Sequence, residues 1–368
     1  MLPHPSSTHP RPSGSPLRIA SVYRHPALEQ VPETDAAVIW WKRIAEGLAA
    51  RGHSVDLVAG ADGGPRVLAS NLRTIPFPEA AWPGYDAILT FFDRGFDNLV
   101  QAGGQGHPFI ISSLGSVVGS TDETPGVYFF GERRRSLYGI QQQIAERSRA
   151  VVVLTEPSRE LWIREHGRTE DVFVIPQGVD RHVPAAMQNP YGAFAEKIAV
   201  FIGTIYDRWQ KEMNLLWQQR LNKLGTALRR RGIRLCLIGV GDTDLLDPAA
   251  VTYLGPVRNQ DIWDYHYFAS VGVILAHGLV QHNESTKLYY YLRAGLPTVS
   301  EAPVPNNQVL EEAGLGFVVP FADEQIFADR IAEAAAFPWD RARAMTYMIE
   351  HHGWDARVAG YERLLGSG

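Results

Sequence analysis

The chain has 368 residues, 45% of them hydrophobic. That exceeds the roughly 250–300 residues at which a single core stops growing, so one undivided core is excluded as the natural arrangement. Its 35 Lys plus Arg against 40 Asp plus Glu give a formal charge of −5, which excludes a global basic field directed at nucleic acid or anionic lipid, and its single cysteine, Cys236, excludes a disulfide framework or a cysteine metal cluster.

Residues 1–16, rich in Pro, Ser and His and without the apolar stretch of a secretory signal, read as a disordered leader. The first periodic unit is a strand, Leu17 to Val22, followed by a helical pattern from about Ala36 to Ala50 with Trp41, Ile44, Ala45 and Leu48 on one face. Arg51-Gly52-His53 reads as a helix stop, giving His53 a structural role, and Ser54 to Ala59 is the next strand. Such a βαβ unit implies a right-handed crossover in a parallel sheet. Further strands are expected at 87–91, 108–112, 150–154 and 172–175. A helix is expected over 133–149, with Arg133, Arg134 and Arg135 on its solvated face. Pro176-Gln177-Gly178-Val179-Asp180 is a turn.

The pattern restarts with a strand at 198–203, a helix over 213–230 and a strand at 233–238, which carries Cys236 as a small buried hydrophobe. Strands at 251–254, 271–275 and 298–299 follow, with helices near 261–269 and 285–294. The end, 323–365, reads as helical with breaks at Phe337-Pro338 and Gly353. No run of about eighteen apolar residues suggests a membrane span. The expected domains are 17–180 and 197–345, with a linker at 181–196 and a C-terminal helix in 346–368. Parallel sheets bind ligands at the carboxyl ends of their strands, so two facing domains enclose a cleft.

Several runs carry a family resemblance: Leu48 to Val55, Val174 to Asp180, Phe201-Ile202-Gly203-Thr204-Ile205, Tyr253 to Val257, and above all Ser285-Thr286-Lys287-Leu288-Tyr289-Tyr290-Tyr291-Leu292-Arg293-Ala294-Gly295-Leu296-Pro297. In this order they resemble the GT-B glycosyltransferases of bacterial polysaccharide and glycolipid synthesis, family 4-like or glucuronosyltransferase-like. The resemblance implies an α/β fold of two facing Rossmann-like domains with parallel sheets and an interdomain cleft. It also implies a nucleotide sugar, on UDP or GDP, in the second domain, a hydroxyl-bearing acceptor in the first, and a C-terminal helix that braces the first domain. A cytoplasmic location follows, and a lipid-linked acceptor would bring the protein to the inner face of the membrane. No cofactor is expected beyond the donor, and no His-Glu-x-x-His, cysteine or Asp-x-Asp motif is read as calling for a metal.

On that template the helix starting near Ser285 caps itself through Ser285 or Thr286 and aims free N–H groups at phosphate, with Lys287 adding positive charge. Gly203 and Thr204 approach the diphosphate, and Arg208 or Lys211 helps neutralise it. His277, Asn283 and Glu284 stand where the sugar is recognised. Many relatives place a ribose-binding Glu at the position of Tyr290, and an acidic residue at that of His282. Losing this pair weakens a retaining assignment and leaves inversion at least equally open. Inversion needs a base on the acceptor side. Asp93 is the first candidate, Asp122 and Glu123 compete with it, and His25 and Asp35 lie in the same half. Two rivals stand beside the transferase. A sugar-nucleotide epimerase lacks a matched acid-base set here, and a noncatalytic nucleotide-sugar scaffold draws support from Tyr290. A dehydrogenase is disfavoured because Gly239-Val240-Gly241-Asp242 lacks the GxGxxG fingerprint.

Overall fold

The computed structural model describes residues 15–23, 36–59, 64–122, 131–203, 211–258, 261–276, 282–321 and 323–366, so the leader lies almost wholly outside the described residues. The chain folds into two Rossmann-like α/β domains. The first is built on eight strands in the order β3-β4-β2-β1-β5-β6-β7-β8. These are β1 (Arg18–Val22), β2 (Ser54–Ala59), β3 (Arg66–Ala69), β4 (Leu72–Pro76), β5 (Ala87–Phe91), β6 (Ile110–Ser113), β7 (Ala150–Val153) and β8 (Val172–Val174). All pairings are parallel except that of β3 with β4. The central strand β5 is buried along its whole length, as a parallel strand covered on both faces must be.

Helix α1 (Ala36–Ala50) packs on one face with Trp40 and Trp41, 0% and 2% exposed, and Trp40 meets Phe91 edge-on at 5.4 Å. Helices α2 (Phe92–Gln101), α3 (Gly131–Arg147) and α4 (Glu156–His166) complete this domain. The Thr155 hydroxyl accepts from Ser158 N–H to start α4, and Gly167 closes it in the left-handed region at φ 67°. His53 is buried and accepts the Leu17 N–H at Nδ1, 3.1 Å, in keeping with its structural reading.

Six parallel strands form the second sheet, in the order β11-β10-β9-β12-β13-β14. They are β9 (Lys197–Ile202), β10 (Ile233–Ile238), β11 (Val251–Gly255), β12 (Val271–Ile274), β13 (Thr298–Glu301) and β14 (Gly316–Val319). Around them lie α5 (Lys211–Arg229), α6 (Ile262–Phe268), α7 (Thr286–Arg293), α8 (Asn307–Ala313), α9 (Glu324–Ala336) and α10 (Arg341–His352).

A final helix, α11 (Trp354–Gly366), returns to the first domain: Val358, Tyr361, Leu364 and Leu365 join the core that holds Ile19, Trp40 and Ile111. Gly47 permits its close contact with α1, since a Cβ there would stand 2.3 Å from Val358. The two passages of the chain between the domains are bonded to each other, with Val179 N–H donating to His352 O and Trp354 N–H to Val179 O.

The structure adds elements that periodicity did not reveal: α2, α4, α8, the β3–β4 hairpin and β14. It also corrects one face. Arg134 is 5% exposed rather than solvated, because it turns inward to Asp122 and to Gly119 O. Among the described residues no helix is long and apolar enough to cross a membrane.

Candidate functional site

The carboxyl ends of the two sheets meet at the segment 282–285. Ser158 donates its hydroxyl to His282 O at 2.8 Å, Thr155 donates to the same carbonyl, and Asn283 Nδ2 donates to Ser116 Oγ at 2.7 Å. Glu284 accepts the Gln177 N–H at 2.9 Å and the Tyr289 hydroxyl at 2.9 Å. Burial pushes its carboxyl up to about 7, against the hydrogen bonds and Arg357. Asn283 and Glu284 therefore join the domains through their side chains.

At the start of α7 the expected self-cap is absent: Ser285 makes no side-chain capping bond. Its backbone is held instead by Asn306, whose Oδ1 accepts the Ser285 N–H at 2.8 Å and whose Nδ2 donates to Ser285 O at 3.1 Å. First-turn N–H groups of a helix have no intrahelical partner, which leaves those of Thr286 and Lys287 for a ligand or water. Lys287 folds over Gly203. A Cβ on Gly203 would meet its Cε at 2.4 Å and its Nζ at 3.0 Å, and the ammonium stands 5.3 Å from the centre of the Phe201 ring. Burial alone pulls that ammonium down to about 8, with no carboxylate among the described residues offsetting it. Gly239, at the end of β10, is equally constrained, since a Cβ there would lie 1.9 Å from Gly203 O. Leu288, Tyr291 and Leu292 form the buried face of α7, as the sequence pattern implied. Tyr290 is half-buried against the Arg293 guanidinium at 5.0 Å, and burial raises its hydroxyl to about 12. Arg293 in turn faces Asp180 at 3.6 Å.

In the first domain, Phe92 holds φ 58°, a left-handed conformation that a bulky residue adopts only under constraint. Its ring fills the space over Gly115, where a Cβ would come within 2.1 Å. This bend ends β5 and presents Asp93 in the first turn of α2. Fully buried Gln141 donates to Asp93 Oδ1 at 2.8 Å and to Ser116 O at 2.9 Å, while its Oε1 accepts Val118 N–H at 3.1 Å. Burial pushes the Asp93 carboxyl up to about 6, partly countered by the Gln141 bond. Asp93 and Asn283 are thus linked through Gln141 and Ser116.

Asp122 differs: the Arg134 side chain, then the Gly131 N–H at 3.0 Å, hold its carboxyl below the usual range. A carboxylate so engaged is a weak proton acceptor. Glu123, Thr204, Arg208, His277, His25 and Asp35 lie outside the described residues, as does the side chain of Lys211, which opens α5. Contrary to the expectation that no Asp-x-Asp spacing occurs, Asp242-Thr243-Asp244 carries one, in a turn in which Asp242 accepts the Asp244 N–H at 3.2 Å. Among the described residues no cluster suited to a metal ion occurs.

Behind the site lies a network that pattern reading missed. Glu301, 0% exposed at the end of β13, receives Arg220 Nη2 at 2.7 Å, Arg220 Nη1 at 3.0 Å and the Ala276 N–H at 2.9 Å. Arg220 also donates to Ala276 O at 3.1 Å and to Glu324 at 2.9 Å. One signal was available, a carboxylate closing the otherwise uncharged strand Thr298-Val299-Ser300-Glu301, which demands a buried cation. Gln141, Ser116 and Asn306 carried no such signal.

No family model matches the chain, and no curated protein matches it. Solved structures do. Sucrose-phosphate synthase from Thermosynechococcus elongatus superposes with a TM-score of 0.65 at 16% identity, covering 95% of this chain and 100% of that one. AviGT4, a glycosyltransferase involved in avilamycin A biosynthesis, gives 0.63 at 16%, covering 96% and 99%. Anabaena Alr3699/HepE in complex with UDP and glucose gives 0.68 at 13%, covering 96% and 100%. These likenesses show the fold, which is GT-B.

Proposed function

We propose that this protein is a glycosyltransferase that moves a sugar from a nucleoside diphosphate sugar to an acceptor hydroxyl with inversion at the anomeric carbon. The observation that carries the proposal is Lys287, an ammonium with no carboxylate partner among the described residues, beside the first-turn N–H groups of α7. A diphosphate supplies the charge that this arrangement lacks. The nucleotide and sugar recorded with HepE support a donor of that class.

In the proposed reaction Asp93 takes the acceptor hydroxyl proton as the new oxygen–carbon bond forms. The bond from the anomeric carbon to the diphosphate oxygen breaks on the opposite face, and Lys287 with the α7 N-terminus stabilises the charge on the departing diphosphate. Gln141 holds Asp93 in place, and burial keeps its proton affinity close to that needed near neutral pH. The absence of the acidic pair at Tyr290 and His282 weakens retention and leaves inversion at least equally open, and Asp93 in the first domain is the candidate base that inversion needs.

The test is a mass-spectrometric binding screen of the purified protein against UDP, GDP, dTDP and ADP sugars, with product detection for each donor retained. Retention of one nucleotide sugar, lost on Lys287→Ala, supports the donor site, and inverted product supports the mechanism. Retention without product from any acceptor offered would favour a noncatalytic binder, and no retention by folded protein would overturn the proposal.

A further inference from the structure

Resting on the donor site just proposed, we infer that Asn306 is a positioning residue that sets the anion-binding end of α7 from behind. A helix start ordinarily fixes its own first turn through a Ser, Thr, Asp or Asn side chain at the N-cap. Ser285 occupies that place and makes no such bond. Had its hydroxyl turned back onto the Lys287 N–H, it would consume a donor that the diphosphate needs. Asn306 removes the conflict: its amide pairs with both backbone polar groups of Ser285, at 2.8 and 3.1 Å, and leaves the following N–H groups to the ligand.

The amide is itself fixed from two sides. Asn306 is 4% exposed, and its side chain also meets the Tyr289 hydroxyl, which donates to Glu284. Its neighbour Asn307 faces the other way, accepting from Ser300 Oγ at 2.6 Å and donating to Glu301 O at 3.1 Å. The segment 300–307 is therefore tied to the end of β13 by Asn307 and to the start of α7 by Asn306. Where two donors must converge on one anion, a small displacement of the helix start degrades binding, so a buried side chain that touches no ligand governs affinity through Ser285.

The test uses inorganic pyrophosphate and UDP as probes, titrated calorimetrically into the native chain, Asn306→Ala and Lys287→Ala, well below each melting temperature. The expected result is pyrophosphate affinity at least about 10-fold weaker in Asn306→Ala, equivalent to about 1.4 kcal/mol, with unchanged stoichiometry and near-UV circular dichroism. Asn306→Gln, which keeps the amide and misplaces it, should weaken binding as well. Native affinity in the folded fraction of Asn306→Ala, even with a lowered melting temperature, would reduce Asn306 to a structural role and overturn the inference while leaving the donor site intact. Binding that is equal in the native chain and Lys287→Ala, or absent from the native chain, would overturn the donor site and this inference with it.

Discussion

Lys287 lies across Gly203 so closely that a single added carbon on the glycine would stand 2.4 Å from Cε of the lysine. The glycine at the end of β9 thus makes room for the cation rather than for the ligand directly. Gly203→Ala should displace the Lys287 side chain, strain a backbone held at φ 155°, and weaken donor binding of the folded protein by about 10-fold or more. Calorimetric titration of the retained nucleotide sugar measures it.

Lys287 is held at a cost to the empty protein. A cation whose folded pKa is lowered, here to about 8 from 10.5, opposes folding below 8, and stability recovers as pH rises from there toward 10.5. Lys287→Met should therefore raise the melting temperature at pH 7 by a few degrees, on the order of 1 kcal/mol after solvent screening, while abolishing donor binding. Scanning calorimetry paired with the binding screen separates the two effects.

Asp93, shifted up to about 6, must be ionised to accept a proton. The value of kcat/KM should fall as pH drops through about 6 and fall again above about 8 as Lys287 in the free enzyme loses its charge. Asp93→Asn should lower kcat by about 10²- to 10⁴-fold with little change in donor affinity. A pH–rate series on the native enzyme, with single-turnover rates for the variant, checks both.

Glu284 makes the contact between domains dependent on pH. Its folded pKa of about 7 lies above the ordinary 4.5, so its contribution is fully present below 4.5 and is lost as pH rises through 7. Glu284→Gln should flatten the stability profile across that window and make the protein more stable than native at pH 8. Thermal melts at pH 5, 6, 7 and 8 show the difference.

The Arg220–Glu301 pair should respond asymmetrically. Arg220→Met leaves a fully buried carboxylate without its cation and should cost about 3–5 kcal/mol, whereas Arg220→Met with Glu301→Leu should recover much of that. Urea unfolding of the single and double variants is the measurement.

What the sequence disclosed follows from how far each signal reaches. The strands of both sheets other than β3, β4 and β14, and helices α1, α5 and α7, announced themselves because alternation and helical spacing are local. Helix α2 did not, since Phe92-Asp93-Arg94-Gly95 reads as a turn, and its helical start rests on a left-handed Phe92 that tertiary packing imposes. Strand β14 begins at Gly316, where any Cβ would strike Thr298 O at 1.8 Å, a requirement set by a neighbouring strand and invisible in the run itself. Of the candidates, Lys287 drew attention as a cation in the first turn of a helix and Asp93 as a charge just after a strand. Asn306 and Gln141 were not, because an amide acquires its role only from the partner it meets, 21 residues away for Asn306 and 48 for Gln141.

Helix α11 puts a late stretch of chain inside an early domain. Tyr361 closes on Ser113 at 2.8 Å, and the indole of Trp354 covers Gly178. During synthesis the first sheet must therefore wait, one apolar strip uncovered, until the stretch from Val174 to the end of α11 at Gly366 has emerged and the second domain has had time to form. The half of the molecule made first is the half completed last, and its exposed strip is where a ribosome-bound or prematurely terminated chain would need a chaperone.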